Sequence, residues 1–317
     1  MPEDSSIKLK AGKSLTRKLG IVISLILLVV IFTMATNTFF SVKNMVNILQ
    51  QTSINCVIAL GMTLVIITGG IDLSVGSIMA LTGMVMAQMM TSGVNIGLSL
   101  FVGVCLGIAC GVLNGLLISK LQLQPFLVTL GTMSVFRGLT LIISNGLPVR
   151  GFPQEFSDSM NSLNASVPVP VILLLVFAVI LFFVIKYTKY GQYVFAIGGN
   201  EEASRLSGIN TLLVKTITYA INGFACSLAA IIFMGRLAAA DPQAGNGYEM
   251  YAIAAAAIGG ASLAGGKGSL VGTIIGALIL GTLSNGLTLC NVQSFYQTLA
   301  IGLIVIIATV IDHFSNK

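Results

Sequence analysis

The chain has very little charge, since only 8% of its 317 residues are Asp, Glu, Lys or Arg. Residues 73–119 and 268–311 contain none of these four types. Water-soluble domains carry about 25% charged residues, so that class of protein is excluded. An α-helix crosses the hydrocarbon layer in about 20 residues, and each charge-free stretch therefore has room for two spans joined by a turn. The sequence predicts a multi-pass membrane protein.

Residues typical of catalytic and metal centres are also scarce. The chain has one histidine, His313, and five cysteines with no CxxC pair among them. No cluster of His, Cys and acidic residues supports a zinc or redox site or a membrane-embedded enzyme. We therefore expect no catalytic residue, no metal and no cofactor in this chain. The cysteines, best explained as small apolar packing residues, are Cys56, Cys105, Cys110, Cys226 and Cys290.

The net charge of +6 does not indicate a nucleic-acid partner. Five basic residues lie together before the first apolar run, where basic residues mark the cytoplasmic side. They define a cytoplasmic tail, residues 1–18, followed by an uncleaved first helix: Lys8, Lys10, Lys13, Arg17 and Lys18.

Charged residues divide the remainder, residues 19–317, into apolar runs of spanning length. The fold class is accordingly all-α, a polytopic transmembrane helical bundle of about ten spans. The distribution of Lys and Arg places both termini and the 186–215 loop in the cytoplasm. The predicted spans are 20–40, 54–70, 76–92, 97–119, 126–145, 168–186, 216–235, 250–264, 269–289 and 295–311.

Three segments between spans have patterns of their own. Residues 41–52 are amphipathic and predict either a short interfacial helix or the start of the second span. Residues 145–168 and 236–249 are expected on the outer face, where each is a natural docking surface.

Small residues recur every four positions at Gly103, Gly107, Gly111 and Gly115. This spacing forms a groove in which another helix backbone can approach closely, either within one subunit or between two. A short internal echo links GGIDLSVGS at 69–77 with GGKGSLVGT at 265–273.

A few polar side chains interrupt the apolar spans and are candidates for the transport pathway. Asp72 and Ser74 follow a Gly-Gly pair that should interrupt a helix, so they either line or gate a pathway or cap the next helix. Asn114, Asn222 and Asn285 can bond a passing solute or a neighbouring helix, and packing is the better explanation for each. Arg137 must reach the interface, an acid or a wet cavity.

A second candidate site is the segment GGNEEASRLSGIN, residues 198–210, which we call the coupling segment. Its pattern predicts a short helix with Ala203, Leu206 and Ile209 on one face. Acidic residues favour its N-terminal end, and Gly208 is its expected terminator. The residues expected to contact a soluble partner are Glu201, Glu202, Ala203, Ser204, Arg205, Leu206 and Gly208.

The coupling segment resembles the EAA loop through which permease subunits of ATP-binding-cassette importers contact their ATPases, with Ser204 in place of the usual second alanine. Together with GMTLVIITGGIDLSVGSIMALTG (61–83) and AIGGASLAGGKGSLVGTIIGALILG (257–281), it is similar to the signature stretches of bacterial monosaccharide importer permeases, the ribose importers in particular. The resemblance covers nearly the whole chain.

This resemblance implies a non-catalytic transport subunit in the cell membrane, the inner membrane in a Gram-negative source. Its implied partners are a second copy of itself, lipid, an ATPase that binds ATP and Mg, and an extracytoplasmic sugar-binding protein. The AGGKGS run at 264–269 is not a phosphate-binding loop, because Ala261 replaces the first glycine of that motif and Gly268 replaces its hydroxyl residue. The alternative function is an ion-gradient-driven carrier, for which Asp72 is a candidate coupling site.

Overall fold

The computed structural model describes residues 3–161 and 168–315, and their side chains at 19–161, 168–307 and 310. This part of the chain is almost entirely helical, with one pair of two-residue strands. In chain order the elements are α1 (Glu3–Ala35), α2 (Val42–Ile67), α3 (Val75–Thr91), α4 (Ile96–Lys120), α5 (Pro125–Ser144), β1 (Val149–Arg150), α6 (Gln154–Asn161), α7 (Val169–Tyr187), α8 (Lys189–Gly199), α9 (Glu201–Leu206), α10 (Thr211–Leu237), β2 (Ala239–Ala240), α11 (Tyr248–Ile258), α12 (Leu270–Leu289) and α13 (Ser294–Ser315).

Six of these helices, α2, α4, α5, α7, α10 and α12, are long and apolar enough to cross a membrane. Each coincides with a predicted span, which confirms an all-α, multi-pass membrane protein. Four further apolar stretches are shorter and lie at the other predicted positions: Leu19–Ala35, Val75–Thr91, Tyr248–Ile258 and Ser294–Ile307.

Helix α2 forms the centre of the bundle. In its most apolar stretch 83% of the residues are buried, against 28% in the corresponding stretch of α7. It packs against α10, α11 and α12, while α4, α5 and α7 expose large aliphatic and aromatic side chains. Apolar side chains on an outer surface are stable in lipid, so these three helices form a lipid-facing layer around a protein core.

The glycine stripe of α4 packs inside the subunit. A Cβ atom at Gly107 would overlap the Ser227 hydroxyl, and one at Gly111 would overlap the carbonyl oxygen of Tyr219, both on α10. Gly115 faces Thr216 on the same helix, and Gly103 faces Met86 on α3. Of the two arrangements that the spacing allowed, the structure shows the one within a single subunit, where small residues bring two helix backbones into contact.

We expect Gly111→Ala to destabilise the protein by about 1–3 kcal/mol, because the added methyl group must displace backbone rather than a flexible side chain. The matched control is Gly138→Ala on α5, where no atom lies within 4 Å of the added carbon. Thermal unfolding in detergent measures both. Equal melting temperatures for the two variants would show that α4 and α10 can separate without cost.

The segment 41–52 is not a separate interfacial helix. Ser41 caps α2 by accepting a hydrogen bond from the backbone N–H of Asn44 at 3.3 Å, and the helix then continues to Ile67. No Gly or Pro interrupts it near residue 52, and the side chains of Asn44 and Asn47 bond residues of other helices. The Asn44 and Asn285 amides form a reciprocal pair at 2.9 and 3.0 Å, so Asn285 is a packing residue.

Two other regions differ from the sequence prediction, one in where a helix ends and one in the helices that a predicted loop contains. The span predicted at 250–264 is α11, which ends at Ile258 because Gly260 turns the chain with a φ of +94°. The predicted loop 186–215 contains two helices, α8 and α9, separated by Asn200.

The two segments expected on the outer face are joined to each other. Strands β1 and β2 pair antiparallel, with Val149 opposite Ala240. Arg137 on α5 donates to the carbonyl oxygens of Pro242 and Ala244, the latter at 2.9 Å, which identifies the partners that its sequence position left open. Residues 162–167 of the first segment lie outside the described residues.

Candidate functional site

The four candidate pathway residues, which are far apart in sequence, form one hydrogen-bonded network. Asp72 Oδ1 accepts from the backbone N–H of Ser74 at 2.9 Å and from its hydroxyl at 2.6 Å, and Asp72 Oδ2 accepts from Asn222 Nδ2 at 2.8 Å. Asn114 Nδ2 donates to Ser74 Oγ at 2.8 Å. All four side chains have 0% exposure. We call this set the Asp72 network.

The Asp72 network bonds two helices, α4 and α10, to the turn between α2 and α3. Asp72 and Ser74 lie in the turn between α2 and α3, Asn114 is on α4 and Asn222 is on α10. Ser74 is the N-cap residue of α3 but makes no side-chain capping bond, and Asp72 accepts its backbone N–H instead. The network therefore fixes the geometry of the turn from two sides at once.

Three polar atoms near the network have no hydrogen-bond partner among the described residues. They are the amide oxygens of Asn114 and Asn222 and the hydroxyl of Tyr219. A buried polar atom without a partner is costly, and a rearranged turn can supply the missing bonds. These three oxygens therefore keep hydrogen-bonding capacity that the described contacts do not use.

The coupling segment contains a short, well-capped helix. Asn200 Oδ1 accepts from the backbone N–H of Ala203 at 2.9 Å and begins α9. Gly208, with a φ of +85°, ends the helix as predicted. The backbone N–H of Gly208 donates to the carbonyl oxygen of Arg205 at 3.0 Å, and the backbone N–H of Ile209 donates to the carbonyl oxygen of Ser204 at 3.1 Å. This pair of bonds is a Schellman motif, which requires a left-handed residue at that place.

One side of α9 faces the protein and the other faces away. Ser204 is buried, whereas Leu206 is 79% exposed. Glu201 is fixed by Lys215 of α10 at 2.8 Å. Ala203 is exposed and Ile209 half-buried, so the apolar face predicted from helical spacing does not pack as a unit on this subunit.

The outer side of α9 also carries an exposed ion pair, between Arg205 Nη2 and Glu202 Oε1 at 2.7 Å. Its hydrogen bond lowers the pKa of the Glu202 carboxyl below its ordinary value, so both groups are charged at neutral pH. Exposed pairs of this kind add little stability. The pair instead presents a defined charge pattern beside Leu206.

Three Gly-Gly pairs connect the coupling segment to the interior. Gly198 of α8 lies so close to two other chain segments that a Cβ atom would overlap the carbonyl oxygen of Ile67 and the amide nitrogen of Gly266. Gly266 N–H donates to that Ile67 carbonyl at 2.9 Å, and a Cβ at Gly265 would lie 3.2 Å from Gly69. We call the pairs 69–70, 198–199 and 265–266 the glycine junction.

The Gly-Gly pairs of the glycine junction are visible in the sequence, but their spacing along the chain does not show that they meet. Each of the three signature stretches carries one of the Gly-Gly pairs, and two of the pairs open the internal echo at 69–77 and 265–273. The structure brings all three together, with the turn that holds the Asp72 network beginning at one of them.

Residues 44–309 match the family described as branched-chain amino acid transport system, permease component. The ribose import permease of Escherichia coli K12 is 44% identical over 295 residues, covering 92% of each chain. The chain belongs to this permease family.

Two further relatives are also named as sugar permeases. The ribose import permease of Bacillus subtilis 168 is 45% identical over 298 residues, covering 93% of this chain and 92% of the relative. The D-allose transport system permease of Escherichia coli K12 is 40% identical over 302 residues, covering 95% and 93%. No solved structure matches the chain.

The chain is therefore a membrane permease subunit of an ATP-binding-cassette importer, as the sequence resemblance predicted. It is non-catalytic, and the ATPase is a separate subunit. These relationships support this function over the ion-gradient-driven carrier.

Proposed function

We propose that this permease forms the membrane pathway of an ATP-driven importer for ribose or a related monosaccharide. Support for the sugar comes from relatives 40–45% identical, which are named as ribose and D-allose permeases. A neutral sugar is recognised by hydroxyl and amide groups rather than by fixed charge. A charged content of only 8% fits such a cargo.

The proposed topology has ten spans, formed by the six long helices and the four shorter apolar ones, with both termini in the cytoplasm. Residues 1–18 form the cytoplasmic tail and residues 19–317 the permease domain. In a Gram-negative source the membrane is the inner one. The subunit acts as a pair with a second copy of itself, and the joined outer segments around β1 and β2 receive an extracytoplasmic sugar-binding protein.

The coupling segment is the proposed contact with the ATPase, which binds ATP and Mg. The observation that carries this proposal is the asymmetry of α9: Ser204 and the Glu201–Lys215 bond fix one side, while Leu206 and the Glu202–Arg205 pair face away from the subunit. An exposed leucine on an anchored helix is suited to a groove on a soluble protein.

In the proposed cycle, ATP binding closes the ATPases and displaces α9. The displacement passes through α8 to the glycine junction and to the turn that holds the Asp72 network, which acts as the gate. Coupling of this kind requires that the two states of the permease differ in their contacts with the ATPase.

We expect Leu206→Glu to release the ATPase from the purified complex and to lower ATP-driven uptake at least about tenfold, since a buried charge opposes binding at an apolar hot spot. The control is Leu121→Glu, a second exposed leucine, 57% exposed, at the C-terminal end of α4 and outside the coupling segment and the outer segments. Co-purification and uptake into proteoliposomes with binding protein and ATPase measure both. A normal ATPase content in Leu206→Glu would refute the assigned contact.

The same system tests the function as a whole. Wild-type complex is expected to accumulate labelled ribose only with internal ATP hydrolysis and binding protein. Accumulation by the permease alone in a proton gradient would instead establish a carrier.

A further inference from the structure

A cavity of about 170 Å³ lies in the helix bundle, in the half that the proposed topology places on the outer side. It is enclosed by α2, α10, α11 and α12, the helices that make up the core. Its lining combines aliphatic residues, Ile54 and Leu237, with several polar and aromatic ones. The lining residues that matter for binding are Gln51, Asn55, Arg236, Tyr248, Tyr251 and Ser284.

The lining offers the contacts that a polyhydroxylated ring needs. Two amides, a guanidinium and a serine hydroxyl supply hydrogen-bond donors and acceptors on neighbouring helices. The rings of Tyr248 and Tyr251, 6.3 Å apart and steeply inclined, present apolar faces that can cover the C–H side of a sugar. None of the described lining residues is acidic, so the cavity has no coupling site for a proton or cation.

The size of the cavity suits one small ring. Cavities of about 150 Å³ in proteins accept a molecule the size of benzene. A cavity of 170 Å³ is therefore in the range of a single monosaccharide and too small for a disaccharide.

Polar atoms at this cavity are left without partners. The amide oxygen of Asn55 and, one turn earlier on α2, the hydroxyl oxygen of Thr52 are buried and have no hydrogen-bond partner among the described residues. Thr52 contacts Gly281, which also lines the cavity. Unpaired buried oxygens are rare because they are costly, and a ligand hydroxyl that enters the cavity can satisfy the Asn55 amide.

A second, wider pocket of about 500 Å³, which we call the vestibule, is lined in part by Lys43, Asn47, Gln50 and Asn161. Arg236 lies at the boundary between the two. Its Nη2 donates to Asn47 Oδ1 at 2.7 Å, and its backbone carbonyl accepts from Asn161 Nδ2 at 3.4 Å. The Arg236–Asn47 bond thus joins the lining of the cavity to the lining of the vestibule.

We propose that this cavity binds one neutral monosaccharide during its passage, and that the Arg236–Asn47 bond closes its outer side. This inference rests on the proposed function and names the residues of the subunit that contact the cargo. It assigns the contact to Gln51, Asn55 and Tyr251 in the outer half, while the Asp72 network remains the proposed gate.

The test uses the full complex in proteoliposomes and compares Asn55→Leu with Asn285→Leu. Asn55→Leu removes an unpaired buried amide, so its melting temperature should equal or exceed that of the wild type, while ribose imported per ATP hydrolysed should fall about tenfold. Asn285→Leu breaks the amide pair with Asn44, so it should lower the melting temperature and leave the ratio of ribose to ATP unchanged.

Gln51→Leu is a second cavity variant and should lower the ratio of ribose to ATP in the same way. It provides the test if Asn55→Leu does not assemble. An unchanged ratio in both cavity variants, with a wild type that imports ribose, overturns the inference but leaves the proposed function standing. A wild type without ATP-dependent ribose uptake would instead contradict the proposed function. Labelled D-ribonate is the charged probe: its import in preference to ribose would assign the cavity to sugar acids and overturn the neutral-sugar assignment.

Discussion

Replacing Gly198 by alanine should abolish most ATP-driven uptake, whereas replacing its neighbour Gly199 should not. A Cβ atom at Gly198 overlaps two backbone atoms, the Ile67 carbonyl oxygen and the Gly266 amide nitrogen, and neither can move without displacing its own segment. Overpacking of this kind costs about 1–3 kcal/mol, and more where backbone must shift. We expect uptake to fall at least about tenfold because the coupling segment loses its fit against both turns.

Gly199 is the matched control, because no atom lies within 4 Å of a Cβ built there. Gly199→Ala should be neutral or stabilise the permease by up to about 1 kcal/mol, since alanine restricts the unfolded chain. Uptake, ATPase co-purification and melting temperature are measured for both variants. If Gly198→Ala transports as well as Gly199→Ala, the glycine junction does not transmit motion.

The second large effect is expected at Asp72, where the choice of substitution separates geometry from charge. Asp72→Ala removes the acceptor of three hydrogen bonds, two from Ser74 and one from Asn222. Each buried group left unpaired costs about 1–3 kcal/mol, so we expect a loss of about 3 kcal/mol or more in the free energy of unfolding.

Asp72→Asn should fold nearly normally. Its side-chain oxygen can keep both bonds from Ser74, and its new amide can donate to the Asn222 oxygen, which has no partner among the described residues, once the Asn222 amide rotates. Melting temperature and uptake are measured together. We expect Asp72→Asn to retain at least about half of the uptake; a folded variant without uptake would show that the gate uses the negative charge itself.

The helices were predictable from the sequence because segments that cross lipid must be long and apolar, and such segments are visible in the sequence. Uncharged runs such as 73–119 must be hydrogen-bonded internally, and helices satisfy that requirement within one segment. The ends of the helices were less predictable: Ser41 and Gly260 set boundaries through a cap and a left-handed turn, whose effects depend on single residues. The amphipathic start of α2 allowed two interpretations, because the sequence does not tell whether its asparagines bond water or, as Asn44 and Asn47 do, residues of other helices.

The candidate site was predictable in its parts but not in its assembly. Asp72 and Asn222 stand out as polar residues in apolar surroundings, yet their bond joins positions 150 residues apart and no local pattern predicts it. The cavity residues were missed because single amides and tyrosines are common in spans. Gln51 and Asn55, four residues apart on one face of α2, were the available signal.

The glycine junction also has a kinetic consequence. One element, α8, touches the start of both echoed turns, 69–77 and 265–273, so we expect the two turns to change shape together. Opening of the inner side should therefore be concerted, with half-open species too short-lived to leak solute. We therefore expect little ATP hydrolysis without transport of solute.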